Sequence, residues 1–269
     1  MRGLWLTAAK AIIAVAVTVL ACVGAARLAD AAEIRVYSTG APSVAAKMVA
    51  ENFAKATGHH LTFTVGQPAT TAADLASGDK ADVVIVPAPV AASLARSGVL
   101  RAGSAVDVAR VGIGVVVRSG ERAPDVSSAA AIRKLLHDAH SIVYPDPTSG
   151  GGSAGRSIAQ MIDRMGLTDT VRPKLTRTAA ISGGVALIAA GKAEVGLFNI
   201  SEILPIPGVT LVGPLPADLQ SYIVFDAAIP VNDPAPEPAA AFIQALAAAA
   251  AAEAWKKSGM EPVAAKPTQ

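Results

Sequence analysis

One stretch, Ser141–Met165, narrows what this chain can fold into more than any other: SIVYPDPTSGGGSAGRSIAQMIDRM. An apolar run ends at Tyr144, a Ser/Gly-rich loop follows, and a helical pattern opens near Ser153. Glycines let the backbone turn tightly enough to point several N–H groups at one place. The start of a helix adds unpaired N–H groups and about half a positive charge from its dipole. Strand, glycine loop and helix in this order predict an α/β unit with an anion site built from backbone, needing no cationic side chain. Ser149 and Ser153 can cap that helix and face an anion at once. Arg156, in its first turn, has the geometry to pair with a carboxylate.

The rest of the chain repeats the alternation. Ile34–Tyr37 reads as a strand leading into Ser38, Thr39, Gly40, Ala41 and Pro42. A helix is expected from Ser43, with Val44, Met48, Val49, Phe53 and Ala56 as its apolar stripe and Gly58 as its stop. Leu61–Val65 is a second strand, and Thr70 and Thr71 lie where a short helix follows it. Val83–Val86 and Val111–Val117 have the unbroken apolar character of strands covered on both faces. Within Asp125–Asp138 a helix is capped by Ser127 or Ser128, and Ile181–Ala190 gives another. Val195–Phe198, Val209–Pro216 and Tyr222–Ile229 are further strands. After the stiff connector Asn232–Pro238, one alanine-rich helix is expected from about Glu237 to Lys257, stopped by Gly259. This order predicts an α/β protein of mostly parallel sheets flanked by helices. Ligands in such sheets bind beyond the carboxyl ends of strands, here the loops after Tyr37, Val65 and Tyr144.

The first residues read as an export leader. Arg2 and Lys10 precede the apolar run Ala11–Ala26, and Ala29-Asp30-Ala31 fits a cleavage site, which gives 1–31 as signal peptide. The run of 16 residues is short for a span of about 20. Cys22, the only cysteine, lies within it; lipidation there is the alternative to cleavage after Ala31. Cleavage leaves about 238 residues with 20 basic and 20 acidic side chains and no cysteine. A near-neutral exported chain has neither the basic footprint of a nucleic-acid binder nor thiol chemistry.

Other motifs reduce to ordinary roles. Gly150–Ser157 nearly matches a phosphate loop, but Arg156 stands where lysine is needed and no magnesium-binding aspartate follows. His59, His60, His137 and His140 have no metal-ligand spacing, so no metal and no cofactor is expected. Asp82 reads as a local cap or ion-pair partner. Glu202 follows Asn199 at a helix start, where an acid is ordinarily a favourable end charge.

Taken in order, four segments resemble a family: IRVYSTGAPSVAAKMVAENFAKATG, SGDKADVVIVPAP, YPDPTSGGGSAGRSIAQMIDRMGL and the closing AAAFIQALAAAAAAEAWKKSGMEP. Together they are similar to periplasmic solute-binding proteins of ABC transporters, in particular the molybdate-binding proteins. The resemblance spans essentially all of the chain after the leader. It implies a two-lobed (type II) periplasmic binding protein with the ligand in the cleft. Lobe 1 would be 32–113 plus 227–269 and lobe 2 would be 114–226, with crossings at Ala109–Arg118 and Tyr222–Val231. Partners implied are a small anionic ligand and an inner-membrane ABC permease, the chain itself being a periplasmic monomer.

The family's ligand positions carry over unevenly. Its first serine falls on Ala41, beside Ser38, Thr39 and Gly40; its second falls near Pro68–Ala69, beside Thr70 and Thr71. Backbone contacts fall on Ala154 and near Ile181, beside Ser182, and the family's tyrosine falls on Asn199. Backbone contacts stay while side chains change. That leaves a molybdate-like oxyanion or an organic carboxylate as ligand. The chain also resembles the branch that includes aconitate isomerase, a periplasmic enzyme acting on a tricarboxylate. Such an enzyme moves a proton and needs a base near the substrate, for which Glu202 is the candidate.

Overall fold

Two sheets form, and the break between them falls at Gly112. The computed structural model describes residues 31–66, 68–78, 80–147, 152–178, 181–234 and 236–263. The leader read at 1–31 (all but its last residue, Cys22 included) and Ser149 lie outside them. In chain order the described strands are β1 (Glu33–Thr39), β2 (His60–Gly66), β3 (Val83–Pro87), β4 (Val106–Val111), β5 (Ile113–Arg118) and β6 (Ile142–Pro145). β7 (Leu175–Thr178), β8 (Val195–Asn199), β9 (Val209–Pro214), β10 (Ile223–Ala228) and β11 (Glu261–Pro262) complete them. One sheet has the order β11-β4-β10-β3-β1-β2, the other β7-β6-β8-β5-β9.

The described helices are α1 (Gly40–Thr57), α2 (Pro68–Ala76), α3 (Ala88–Arg96), α4 (Ala129–Asp138) and α5 (Gly152–Arg164). They continue with α6 (Thr168–Val171), α7 (Ile181–Ala189), α8 (Ile200–Ile203), α9 (Pro236–Ala247) and α10 (Ala252–Lys257). Each sheet is covered on both faces. Ile34, Val36, Val83 and Ile85 pack with α1, α9 and α10, while Val84 and Val86 turn to the face held by Leu75 and Leu94. In the second sheet Ile142, Tyr144, Val195 and Leu197 meet α4 and α5, while Val143 and Phe198 meet α7. The result is a two-lobed α/β fold, and the lobes touch: Ala154 of α5 and Ile200 of α8 pack into the core cluster of the six-stranded lobe.

Several expectations need correction. The sheets are mixed, not mostly parallel: among the described residues parallel pairing is confined to β1–β2, β1–β3, β6–β7 and β6–β8. Strands that pass between the lobes, β4, β5 and β10, enter each sheet antiparallel to their neighbours. The expected strand Val111–Val117 is two strands. At Gly112 a Cβ would lie 2.9 Å from Nε2 of Gln220. Gln220 accepts from the Ile113 N–H (2.8 Å) and donates to the Ile113 carbonyl (2.9 Å), so it holds the crossing from the other side. α1 starts at Gly40 rather than Ser43, and it buries Ala45, Ala46, Val49, Ala50 and Phe53. Val44 is exposed and so is Ala56, because alanines let this helix lie closer to the sheet on a neighbouring stripe. The C-terminal helix is interrupted at Ala248 (φ −69°, ψ 151°). The bend brings Trp255 wholly into the core, where its Nε1 donates to the Leu246 carbonyl at 2.9 Å. Packing of one indole outweighs the helix propensity of an alanine run.

Other readings stand. Gly58 ends α1 with φ 78° and Ser128 Oγ caps α4 by accepting from the Ala131 N–H. Asp82 is the partner of Arg35, accepting from its Nε (2.9 Å), its Nη2 (2.7 Å) and its backbone N–H (2.7 Å). Burial alone would raise the Asp82 carboxyl; the Arg35 hydrogen bonds and charge outweigh it and hold the carboxyl below its ordinary range.

Candidate functional site

The site is built where strands end. β1 and β2 are parallel and in register from Glu33↔His60 to Thr39↔Gly66, so α1 and α2 start side by side at one sheet edge. β6 and β7 pair in register through Pro145↔Thr178, and α5 and α7 start beyond that edge. None of these four helices has an acidic residue in its first turn. Of the other helices α6, α8, α9 and α10 open with Asp169, Glu202, Glu237 and Glu253, while α3 and α4 also lack an acid in the first turn. The four strand-end helices therefore present their positive dipole ends without a carboxylate of their own. Ala154 packing into the opposite lobe's core brings the α5 start against the α1 side of the cleft.

The sequence-derived residues fall at these points. Ser38 and Thr39 are buried at the end of β1. Their hydroxyls donate to backbone, Ser38 Oγ to the Thr39 carbonyl (3.0 Å) and Thr39 Oγ1 to the Ile85 carbonyl (3.4 Å). Thr39 is the N-cap of α1 without a side-chain capping bond, and Pro42 has no N–H. The free donors of this turn are thus the N–H groups of Gly40 and Ala41, since that of Ser43 closes the first intrahelical bond on the Thr39 carbonyl. Ala41 is buried and offers a methyl where a hydroxyl was looked for. Thr70 and Thr71 lie in the first turn of α2, Thr70 exposed.

Ser153 and Ala154 open α5, half-buried and buried respectively, while the Arg156 side chain is exposed. The seat of α5 depends on Gly155: a Cβ there would lie 2.3 Å from the Pro145 carbonyl oxygen and 3.0 Å from the Pro147 nitrogen. Only glycine lets the first turn rest directly on the end of β6. Ile181 and Ser182 are the first two residues of α7. Ser149 lies outside the described residues.

Asn199 closes the arrangement. It ends β8, the strand beside β6, and is the N-cap of α8, which packs against α1 of the other lobe. Glu202, three residues on, has one carboxyl oxygen, Oε2, enclosed without a hydrogen-bond partner among the described residues. Burial pushes this carboxyl up to about 7, and the polar influence of the neighbouring Asn199 offsets only part of the rise. Among the described residues, Asn199 Oδ1, Ser201 Oγ and Glu202 Oε2 are buried without a hydrogen-bond partner.

Sequence reasoning did not single out Gly155, Gln220 or the enclosure of Glu202. Gly155 sits inside the glycine run that drew attention, but nothing local separates a glycine needed for contact from its neighbours. Gln220 acts across 107 positions on Ile113, beyond the reach of any local pattern. Among the described residues no group of three or more His, Cys, Asp and Glu stands where a metal would be held. No described helix is long and apolar enough to cross a membrane.

Comparison with known proteins agrees with this architecture. The chain is 31% identical over 239 residues to aconitate isomerase from Pseudomonas sp., covering 87% of this chain and 89% of that one. The periplasmic molybdate-binding protein of Azotobacter vinelandii superposes with a TM-score of 0.68 at 20% identity, over 84% of this chain and 98% of that one. PEB3 of Campylobacter jejuni with L-phospholactate bound superposes with a TM-score of 0.69 at 17% identity, over 85% and 99%. At such identities these two structures share the fold. Residues 34–261 match the model of the bacterial extracellular solute-binding proteins, and this chain belongs to that family.

Proposed function

We propose that this chain is the periplasmic solute-binding component of an ABC transporter and that its cleft captures a small organic anion carrying carboxylates. The observation that carries the reading is the set of four helix starts, two from each lobe, that follow the ends of the parallel pairs β1–β2 and β6–β7 and carry no acidic residue in the first turn. Backbone N–H groups and dipole ends then neutralise the ligand without a buried counter-ion. The small Ala41 and the amide Asn199 favour an organic anion over a bare tetrahedral oxyanion. The lobes, proposed as 32–113 with 227–269 and 114–226, close about the Gly112 crossing when ligand binds. Residues 1–31 direct export and are removed, and the monomer hands its ligand to an inner-membrane permease.

Thermal unfolding of the exported form with citrate, succinate, both aconitate isomers, sulfate and molybdate tests this. Ligand at 100 times its Kd stabilises by about 2.7 kcal/mol, or about 5–10 °C for a chain of this size. A shift with organic acids is expected. A shift confined to molybdate or sulfate overturns the carboxylate reading.

A second reading rests on Glu202, whose enclosed carboxyl at about 7 suits a base. An isomerase would remove a proton from one end of an allylic acid and return it to the other. Interconversion of the aconitate isomers by pure protein, abolished in Glu202→Gln, would establish it.

A further inference from the structure

Ala32 is the first residue left when the leader ends at Ala31, and its backbone nitrogen is already held. The Ala32 N–H donates to Nδ1 of His59 at 3.0 Å. The Ala32 carbonyl accepts from the His60 N–H at 2.9 Å, just ahead of the β1–β2 register that starts at Glu33↔His60. Ala31, one residue earlier, is exposed. His59 is placed by its own neighbours. Gly58 ends α1 with φ 78° and turns the chain back. Thr57 Oγ1 accepts from the His59 N–H at 3.3 Å. The half-buried ring lies against Phe53, with centroids 5.8 Å apart. Nδ1 is thus an acceptor facing the residue-32 nitrogen. It stands one residue past the C-cap of an 18-residue helix, whose last turn is the negative end of the dipole.

In the full chain this nitrogen is a neutral peptide N–H. Hydrolysis of the Ala31–Ala32 bond changes it: water supplies the oxygen and protons that leave a carboxylate on Ala31 and an ammonium on Ala32. A ring nitrogen that accepts and a helix C-terminus both favour a cation at this point. Resting on the proposed removal of residues 1–31, we infer that His59 is the receptor for the new chain terminus. The α-ammonium of Ala32 donates to His59 Nδ1 and is held beside the end of α1. Chain termini fray unless they are tied down. This one is tied by its own amine, which fixes the start of β1 against β2 and takes the amine out of free solution. The site lies at the opposite end of β1 from Thr39, so it is separate from the cleft.

Two measurements on the exported protein test the inference. Intact mass reads the cleavage point: a chain starting at Ala32 is expected, and any other start overturns the leader reading and this inference with it. Acylation of the α-amine by an N-hydroxysuccinimide ester of acetate at neutral pH, located by peptide mapping, reads the docking. The reference is a chain with Gly-Ser added before Ala32, which carries its amine two residues further out. The wild-type α-amine should react about tenfold slower than the reference, because a charge-assisted hydrogen bond must open first. His59→Phe keeps a ring against Phe53 and offers no acceptor, so it should raise the rate to that of the reference. His60→Ala should leave the slow rate in place. Equal rates in the wild-type and extended chains overturn the docking without recourse to any variant and leave the cleavage reading intact. A slow rate that survives His59→Phe overturns it too.

Discussion

Replacing Gly155 by alanine probes the seat of α5 with a single methyl group. The added Cβ would lie 2.3 Å from the Pro145 carbonyl oxygen and 3.0 Å from the Pro147 nitrogen, where ordinary contact is 3.4–4 Å. Both neighbours are backbone, and neither can rotate aside. The first turn of α5 must lift by about 1 Å, or the end of β6 must give by the same amount. Overpacking of this kind costs about 1–3 kcal/mol. With rigid backbone on the far side the upper end applies, and about 3 kcal/mol is a drop of about 6–12 °C in Tm for a chain of this size. Lifting the turn also moves its N–H groups off the ligand. Losing one charge-assisted hydrogen bond, worth about 1.5–3 kcal/mol, weakens anion binding roughly tenfold or more. Differential scanning calorimetry and anion titration on the purified variant give both numbers. Gly40→Ala is the control for stability, since a Cβ there meets nothing within 4 Å; its Tm should stay within about 2 °C of wild type. A Gly155→Ala protein that melts within about 2 °C of wild type and binds its anion equally well would refute the reasoning.

Two further outcomes are expected. The folded Glu202 carboxyl holds its proton up to about pH 7, whereas its ordinary value is 4.5. The folded state thus binds more protons between those values, and its stability falls as pH rises through that window. The drop from this group is about 3 kcal/mol, read by urea unfolding at pH 5 and pH 8. Glu202→Gln should remove it, and an identical drop in both proteins would contradict the enclosure of Glu202. Gln220→Ala deprives Ile113 of both side-chain hydrogen bonds at the crossing. It should cost about 1–3 kcal/mol and speed amide exchange at Ile113; unchanged exchange there would remove Gln220 from the hinge.

Much of the fold was legible because its signals are local. Val83–Val86 reads as a doubly covered strand from four residues, and Gly58 and Ser128 mark helix ends within one turn. The strand–loop–helix units were legible for the same reason, and with them the positions of Ser38, Thr39, Ala154 and Ile181 at helix starts. What escaped depends on distant partners. The helix from Glu237 breaks at Ala248 because Trp255 folds back on Leu246, a contact that no alanine in the run announces. Val44 lost its place in the core stripe to alanines, since the closeness of α1 to its sheet is set by the sheet. Glu202 looked like an end charge on a short helix. Only the packing of α8 between the lobes encloses its carboxyl, and burial depends on what a chain meets rather than on what it is.

The most direct test of anion capture in the cleft is a crystal structure of the exported form with the tightest-binding organic acid. The expected result is a carboxylate within about 2.7–3.2 Å of the Ala154 backbone N–H and of an N–H from Gly40 or Ala41, bridging the two lobes. An acid bound elsewhere, for instance in the 350 Å³ cavity beside Lys80 and Arg35, with no contact to any of the four helix starts, would contradict it.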